Sequence, residues 1–156
     1  MWYPRFRFAE ALLIAAEAAY ELGGVNKVKA VEYINRVRAR GGIKELTEST
    51  ITFEHIVNEY RVEFAFEDHR WWDLKRWRLA HTVWNGVIDS PTAQMYSLFP
   101  YKVYAPGSPY DGKWAFEKSR SYMAPNARNF TMRCYYGSID DGWINKNPKL
   151  VKNPLQ

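Results

Sequence analysis

"RFAEALLIAAEAAYELGG", residues Arg7 to Gly24, places Phe8, Leu12, Ala15, Ala19 and Leu22 at alternating steps of four and three. That spacing lines one face of an α-helix, and the two closing glycines stop it. A second periodic stretch runs from about Asn26 to Arg40, with Ala30, Val31, Ile34 and Val37 predicted inward, and stops at Gly41 and Gly42. The short connection makes the two helices antiparallel neighbours. Ala11, Ala15, Ala18 and Ala19 keep the first helix slim enough for the second to come close. The pair has about the length of one tetratricopeptide repeat, a unit that does not bury its own apolar face without neighbours.

Thr52 is a plausible N-cap for a third helix, with Glu54 in its first turn and Phe53, Ile56, Val57, Tyr60 and Phe64 inward. Glu59, Glu63 and Glu67 stand four apart on it, a like-charge row that needs cations against it. Arg36, Arg38, Arg40, Arg61, Arg70 and Arg76 are the candidates. A break at Asp68 to Arg70 leads into a fourth helix, "RWWDLKRWRLA", reaching about Ala80 or Trp84. On that helix Trp71 and Leu74 share a face with Arg78, whereas Trp72, Arg76 and Leu79 share another, so the indoles do not converge on one ligand. They are predicted to be core, with Glu63, Glu67, Arg70, Asp73 and Arg76 forming a structural network that seats the fourth helix.

Seven of the eight prolines lie beyond Asn85, among Gly-Ser, Asp-Gly and Asn-Pro turn signals. The expected fold is therefore mostly α: a tetratricopeptide-like helix pair and two further helices over 1–84, then a loop-rich segment with little strand over 85–156. A single short strand is expected from Phe130 to Tyr135.

The composition narrows the function. With 156 residues, 47% hydrophobic and 25% charged, the chain is an ordinary globular length and composition, but 17% aromatic is high. The net charge is +5, yet acids are interspersed among the bases, which argues against nucleic acid despite Arg36, Arg38, Arg40, Arg76 and Arg78. Cys134 is the sole cysteine, expected as a buried small thiol, and excludes an internal disulfide. His55, His69 and His81 are dispersed without metal-ligand spacing. Glu67 with Asp68, and Asp140 with Asp141, are adjacent acids rather than a glycosidase pair across a cleft. Serine nucleophile elbows and phosphate-cradling glycine loops are absent, so no catalysis, metal or cofactor is expected.

"RFAEALLIAAEAAYELGG", "AVEYINRVRARGGI" and "NEYRVEFAFEDHRWWDLKRW", in that order, resemble successive blocks of the RagB/SusD family, the surface glycan-binding lipoproteins of Bacteroidetes nutrient uptake. "INKNPKLVKNPLQ" resembles that family's closing Asn-Pro, Leu, Asn-Pro signature. The chain departs from the family pattern at Tyr60, where an Arg is usual, at Asp68, where a Gly is usual, and near Gly137 to Ile139, where Pro-Ile-Pro is usual. The resemblance implies the C-terminal portion of a longer protein on the extracellular face of the outer membrane. Such a protein holds a glycan and passes it to a SusC-like TonB-dependent transporter, breaks no bond, and meets the membrane only through a lipid anchor that this chain does not carry.

Sugar recognition uses flat aromatic faces against pyranose rings, with polar groups at their edges. The candidates are Trp84, Tyr96, Tyr101, Tyr104, Tyr110 and Trp114, set among Gly, Pro and Ser. The alternative is a helical-repeat module that binds a protein through its first two helices.

Overall fold

The computed structural model describes residues 6–120 and 125–155. Among these the chain is mostly helical, with six α-helices and one two-stranded sheet. It forms two compact units, Met1–Asp73 and Leu74–Gln156, so the division falls earlier than the change of sequence texture after Trp84.

In the first unit, α1 (Phe8–Leu22) and α2 (Lys27–Arg40) are the predicted pair, with α3 (Phe53–Glu63) also against α1. α1 ends at Gly23, whose N–H reaches the Tyr20 carbonyl at 3.0 Å and whose φ of 64°, in the left-handed region, turns the chain out of the helix. The buried face of α1 is Leu12, Leu13, Ala16 and Ala19, which keeps Leu12 and Ala19 of the face drawn from the four-three spacing. Phe8 and Leu22 are exposed. α1 is apolar on more than one side, so periodicity alone admits two overlapping faces; the one that wins takes Leu13 and Ala16 inward. α2 buries Ala30, Ile34 and Val37 as predicted, and α3 buries Ile56 and Tyr60, with Phe64 beyond its end.

Thr52 caps α3: its hydroxyl accepts from the His55 N–H at 3.3 Å, and the His55 ring returns a contact to Thr52, closing a capping box. Between α2 and α3, Asn35 clamps Leu46 from both sides, donating to its carbonyl at 2.8 Å and accepting from its N–H at 2.9 Å. Leu46 is thereby seated in the core.

α4 (His69–Arg76) follows a tight passage in which Phe66 and Asp68 take φ of 67° and 60°. The predicted long fourth helix is broken. Arg78, at φ 58°, turns the chain, and a separate short α5 (Ala80–Val83) follows. The tryptophans also depart from expectation: α4 turns Asp73 and Leu74 inward, leaving Trp72 65% exposed and Trp71 exposed as well. Trp71 shares the face of Leu74 but lies a turn nearer the start of the helix, where it stays exposed, while Trp72 stands on another face.

The second unit packs Leu74, Ala80, Trp84, Phe130 and Tyr135 into one cluster, flanked by Leu79 and Val83. Phe130 lies edge-on to Tyr135 at 4.9 Å and tilted to Trp84 at 6.0 Å between centroids. Backbone bonds close it, with the Phe130 N–H on the Trp84 carbonyl at 2.6 Å and the Gly86 N–H on the Arg128 carbonyl at 2.9 Å. The strand expected over Phe130–Tyr135 is instead a 3-10 turn, Met132–Tyr135, and Cys134 on its outer side is exposed. The turn is what brings both Phe130 and Tyr135 inward, which strict alternation would not. Segment 85–120, read as loop, contains an antiparallel hairpin of β1 (Tyr96–Lys102) and β2 (Trp114–Arg120). The short α6 (Asp141–Lys146) is capped by Asp140, which accepts from the Gly142 N–H at 2.8 Å.

Candidate functional site

The hairpin register sets the geometry. Tyr101 pairs with Ala115, Pro100 with Phe116, Lys102 with Trp114, Leu98 with Lys118 and Phe99 with Glu117. Opposed residues of an antiparallel pair share a face and neighbours along a strand alternate. One face therefore carries Leu98, Pro100, Lys102, Trp114, Phe116 and Lys118, and the other carries Phe99, Tyr101, Ala115 and Glu117.

The connecting loop is internally braced. The Asp111 carboxylate accepts from the Ala105 N–H at 2.9 Å, and the Gly112 N–H donates to the Val103 carbonyl at 2.9 Å. Gly112 has φ of 72°, which brings the chain back into register with β1. Tyr104 and Tyr110 project from this loop, and the Lys113 ammonium lies over the Tyr110 ring at 5.5 Å. Tyr96 is anchored at the other end of the hairpin: its hydroxyl donates to Asp89 at 2.5 Å and the Lys118 ammonium sits 3.8 Å above its ring.

The predicted candidates fall into three groups. Tyr101, Tyr104, Tyr110 and Trp114 are all solvent-exposed, Tyr104 to 88% and Trp114 to 64%. Tyr101 is on the face opposite Trp114, so these rings surround the hairpin instead of forming one platform. Tyr96 is half-buried. Trp84, 6% exposed, is a core residue, and its indole face is covered by the Phe130 cluster, so it is not available to a ligand. Reading the segment as loop missed Phe99 and Phe116, both exposed on the hairpin; the alternation from Trp114 to Lys118 was the available signal.

Two members of the predicted structural network, Glu63 and Glu67, meet a partner that the sequence did not suggest. Glu63 and Glu67 are gripped by Arg7, whose Nη1 is 2.7 Å from Glu63 and whose Nε is 2.8 Å from Glu67. Arg40 adds a contact to Glu63 at 2.6 Å, and Arg38 pairs with the buried Glu59 at 2.6 Å. These bonds, foremost that to Glu67, hold the Arg7 guanidinium above its ordinary pKa. Farther on, Asp73 is 6% exposed, with His69 Nδ1 at 3.9 Å, and the Arg76 guanidinium stacks over Trp77 at 4.4 Å.

Among the described residues, no cluster of three or more His, Cys, Asp or Glu is placed to hold a metal, and no helix is long and apolar enough to cross a membrane.

The model of the SusD family matches residues 1–155. A SusD-like protein, P2, of Formosa agariphila is 37% identical over 101 residues, covering 57% of this chain and 20% of that protein. The starch-binding protein SusD of Bacteroides thetaiotaomicron is 33% identical over 107 residues, 64% of this chain and 18% of that protein. Among solved structures, a SusD-like protein of Bacteroides fragilis superposes with a TM-score of 0.71 at 26% identity, over 99% of this chain and 26% of the other. A surface glycan-binding protein A of Bacteroides uniformis gives 0.54 at 26% identity, over 97% and 27%. The chain thus spans about a fifth to a quarter of the length of its relatives.

Proposed function

The chain belongs to the SusD family, and from that premise we propose that it serves non-catalytic glycan binding at a bacterial cell surface, with the β1–β2 hairpin and its loop as the contact region. The observation that carries this reading is the exposure of Tyr101, Tyr104, Tyr110 and Trp114 on one short element. Pyranose rings offer apolar C–H faces to such aromatic plates, and the binding gain comes from removing both from water. The names of two relatives, a starch-binding protein and a surface glycan-binding protein, support the ligand class. Delivery of the glycan to a SusC-like TonB-dependent transporter, and residence on the outer membrane through a lipid anchor, follow from the family and complete the proposal.

A glycan array tests it. The chain should retain at least one polysaccharide, and Trp114→Ala with Tyr104→Ala should weaken that retention at least ~10-fold, the loss of about one well-packed aromatic contact. An array blank for the unsubstituted chain, or variants that bind as before, would defeat the proposal.

A second reading has its own support. Phe8, Leu22, Val25 and Val28 are exposed on and beside α1 and α2, as a helical-repeat interaction surface requires. If that surface is the functional one, Phe8→Glu with Leu22→Glu abolishes partner binding and leaves glycan retention intact.

A further inference from the structure

We propose that the glycan held by the hairpin is polyanionic, its sugars carrying carboxylate or sulfate groups, and that it lies on the face formed by Leu98, Pro100, Lys102, Trp114, Phe116 and Lys118. This rests on the glycan-binding reading above.

The register sorts the charges. Lys102 faces Trp114 and Lys118 faces Leu98, so two ammonium groups flank the apolar stretch of Trp114, Phe116 and Pro100 on one side of the sheet. The acid within the strands, Glu117, opposes Phe99 on the other side. The acids nearest in chain and contact keep their charge but are fixed by neutral donors at the two ends of the hairpin, away from the Trp114 and Phe116 stretch. Asp111 accepts the Ala105 N–H inside the loop, and Asp89 accepts the Tyr96 hydroxyl. Lys118 is held in place over the Tyr96 ring at 3.8 Å, a contact that orders the ammonium without neutralising it.

The hydrogen-bonding character of this face points the same way. Sugar hydroxyls both donate and accept, and sites for neutral sugars meet them with amides and carboxylates that do likewise. From Lys102 to Lys118 the side-chain polar groups of this face are the two ammonium groups, which only donate; Tyr96, farther along the same face, gives its hydroxyl proton to Asp89. The complement of the ammonium groups is a group that only accepts, a carboxylate or a sulfate. Trp114 and Phe116, two residues apart on β2, lie about 7 Å from each other along the strand and supply the ring-stacking surface between the two charges.

The test compares two pairs of polysaccharides that differ in charge alone: polygalacturonate with its methyl ester, and dextran sulfate with dextran. The anionic member of at least one pair should bind the chain at low ionic strength on the order of tenfold tighter than its neutral partner, with the advantage shrinking as salt rises. The responding pair tells carboxylate from sulfate. Lys102→Glu with Lys118→Glu should remove the advantage, and Lys102→Arg with Lys118→Arg should keep it. Lys29→Glu with Lys149→Glu makes the same change in net charge at two other exposed lysines and should also keep it.

Equal loss in the Lys29 and Lys149 variant, or duplex DNA bound as tightly as the polysaccharide, would show a response to net charge and overturn the inference. Neutral polysaccharide bound as well as anionic, with binding reduced by Trp114→Ala and indifferent to Lys102→Glu with Lys118→Glu, would overturn it and leave the glycan reading standing. Silence towards all four, with a neutral glycan retained on the array, would overturn the inference alone; silence towards all four and a blank array would remove both.

Discussion

Asp68 takes a φ of 60°, in the left-handed region that favours glycine. The left-handed region costs most residues roughly 1–2 kcal/mol, glycine nothing, and Asp or Asn less than most because the short polar side chain can bond locally. Asp68→Gly should leave the melting temperature unchanged or raise it slightly, whereas Asp68→Val should lower stability by about 1–2 kcal/mol; a thermal melt of both variants distinguishes the backbone cause from a lost side-chain contact. Arg7 makes a second residue-scale prediction. Its guanidinium ties two carboxylates that stand one helical turn apart in sequence, and Arg7→Gln should cost about 2 kcal/mol in chemical denaturation, because Glu63 and Glu67 each lose a cation bonded to them. Arg7→Lys should recover part of that, since a point charge replaces a fork. Cys134 gives a third. The Thr131 hydroxyl, 3.4 Å from Sγ, holds the exposed thiol below the ordinary value. Its folded pKa is depressed, so the pH midpoint of alkylation by iodoacetamide should lie lower in the folded chain than in urea, and Thr131→Val should narrow the gap.

At the scale of elements, the helices were readable where one rule acted alone. The Thr52 cap with apolar spacing beyond it defined α3, and glycines closed α1 and α2. Thr52→Ala should reduce stability by ~1 kcal/mol in a denaturant titration, the usual worth of such a cap. What the sequence concealed was competition. Around Trp71, Trp72 and Trp77 the apolar residues suggested burial, but an eight-residue helix has room for one inward stripe, and Asp73 with Leu74 takes it. We expect Asp73→Ala to lower the melting temperature by several degrees, since it removes a buried carboxylate from its polar surroundings; an unchanged melt would deny Asp73 a part in seating α4. The hairpin was hidden by Pro100, which demotes a strand pattern to an edge, and by the Gly- and Pro-bearing turn that in fact joins the two strands. Tyr101, Tyr104, Tyr110 and Trp114 are exposed as expected, whereas Phe99 and Phe116, which alternate with the rest of the strands, were missed. Trp84 was mistaken for a surface ring because it follows a helix end, where only the tertiary fold reveals that Phe130 and Tyr135 return to cover it.

For the whole molecule, family, mostly helical architecture and the order of helices were legible from three blocks and a closing signature, since each rests on local spacing. Arg7 with Glu63 could not be found that way, because nothing local links residues 56 apart. The exposed Phe8, Leu22, Val25 and Val28 give this chain an uncovered apolar surface. It should bind 1-anilinonaphthalene-8-sulfonate in the native state, and Phe8→Glu with Leu22→Glu should diminish that fluorescence without changing helical content by circular dichroism. The hairpin poses a related hazard and contains its own remedy. With two strands, each has an outer rim of backbone groups able to recruit a strand from another copy and seed fibrils. Pro100 has no N–H to contribute to such a ladder, and stacking copies in register would set Lys102 and Lys118 against their own like charges. The element can hold aromatic rings in water while resisting amyloid-like growth.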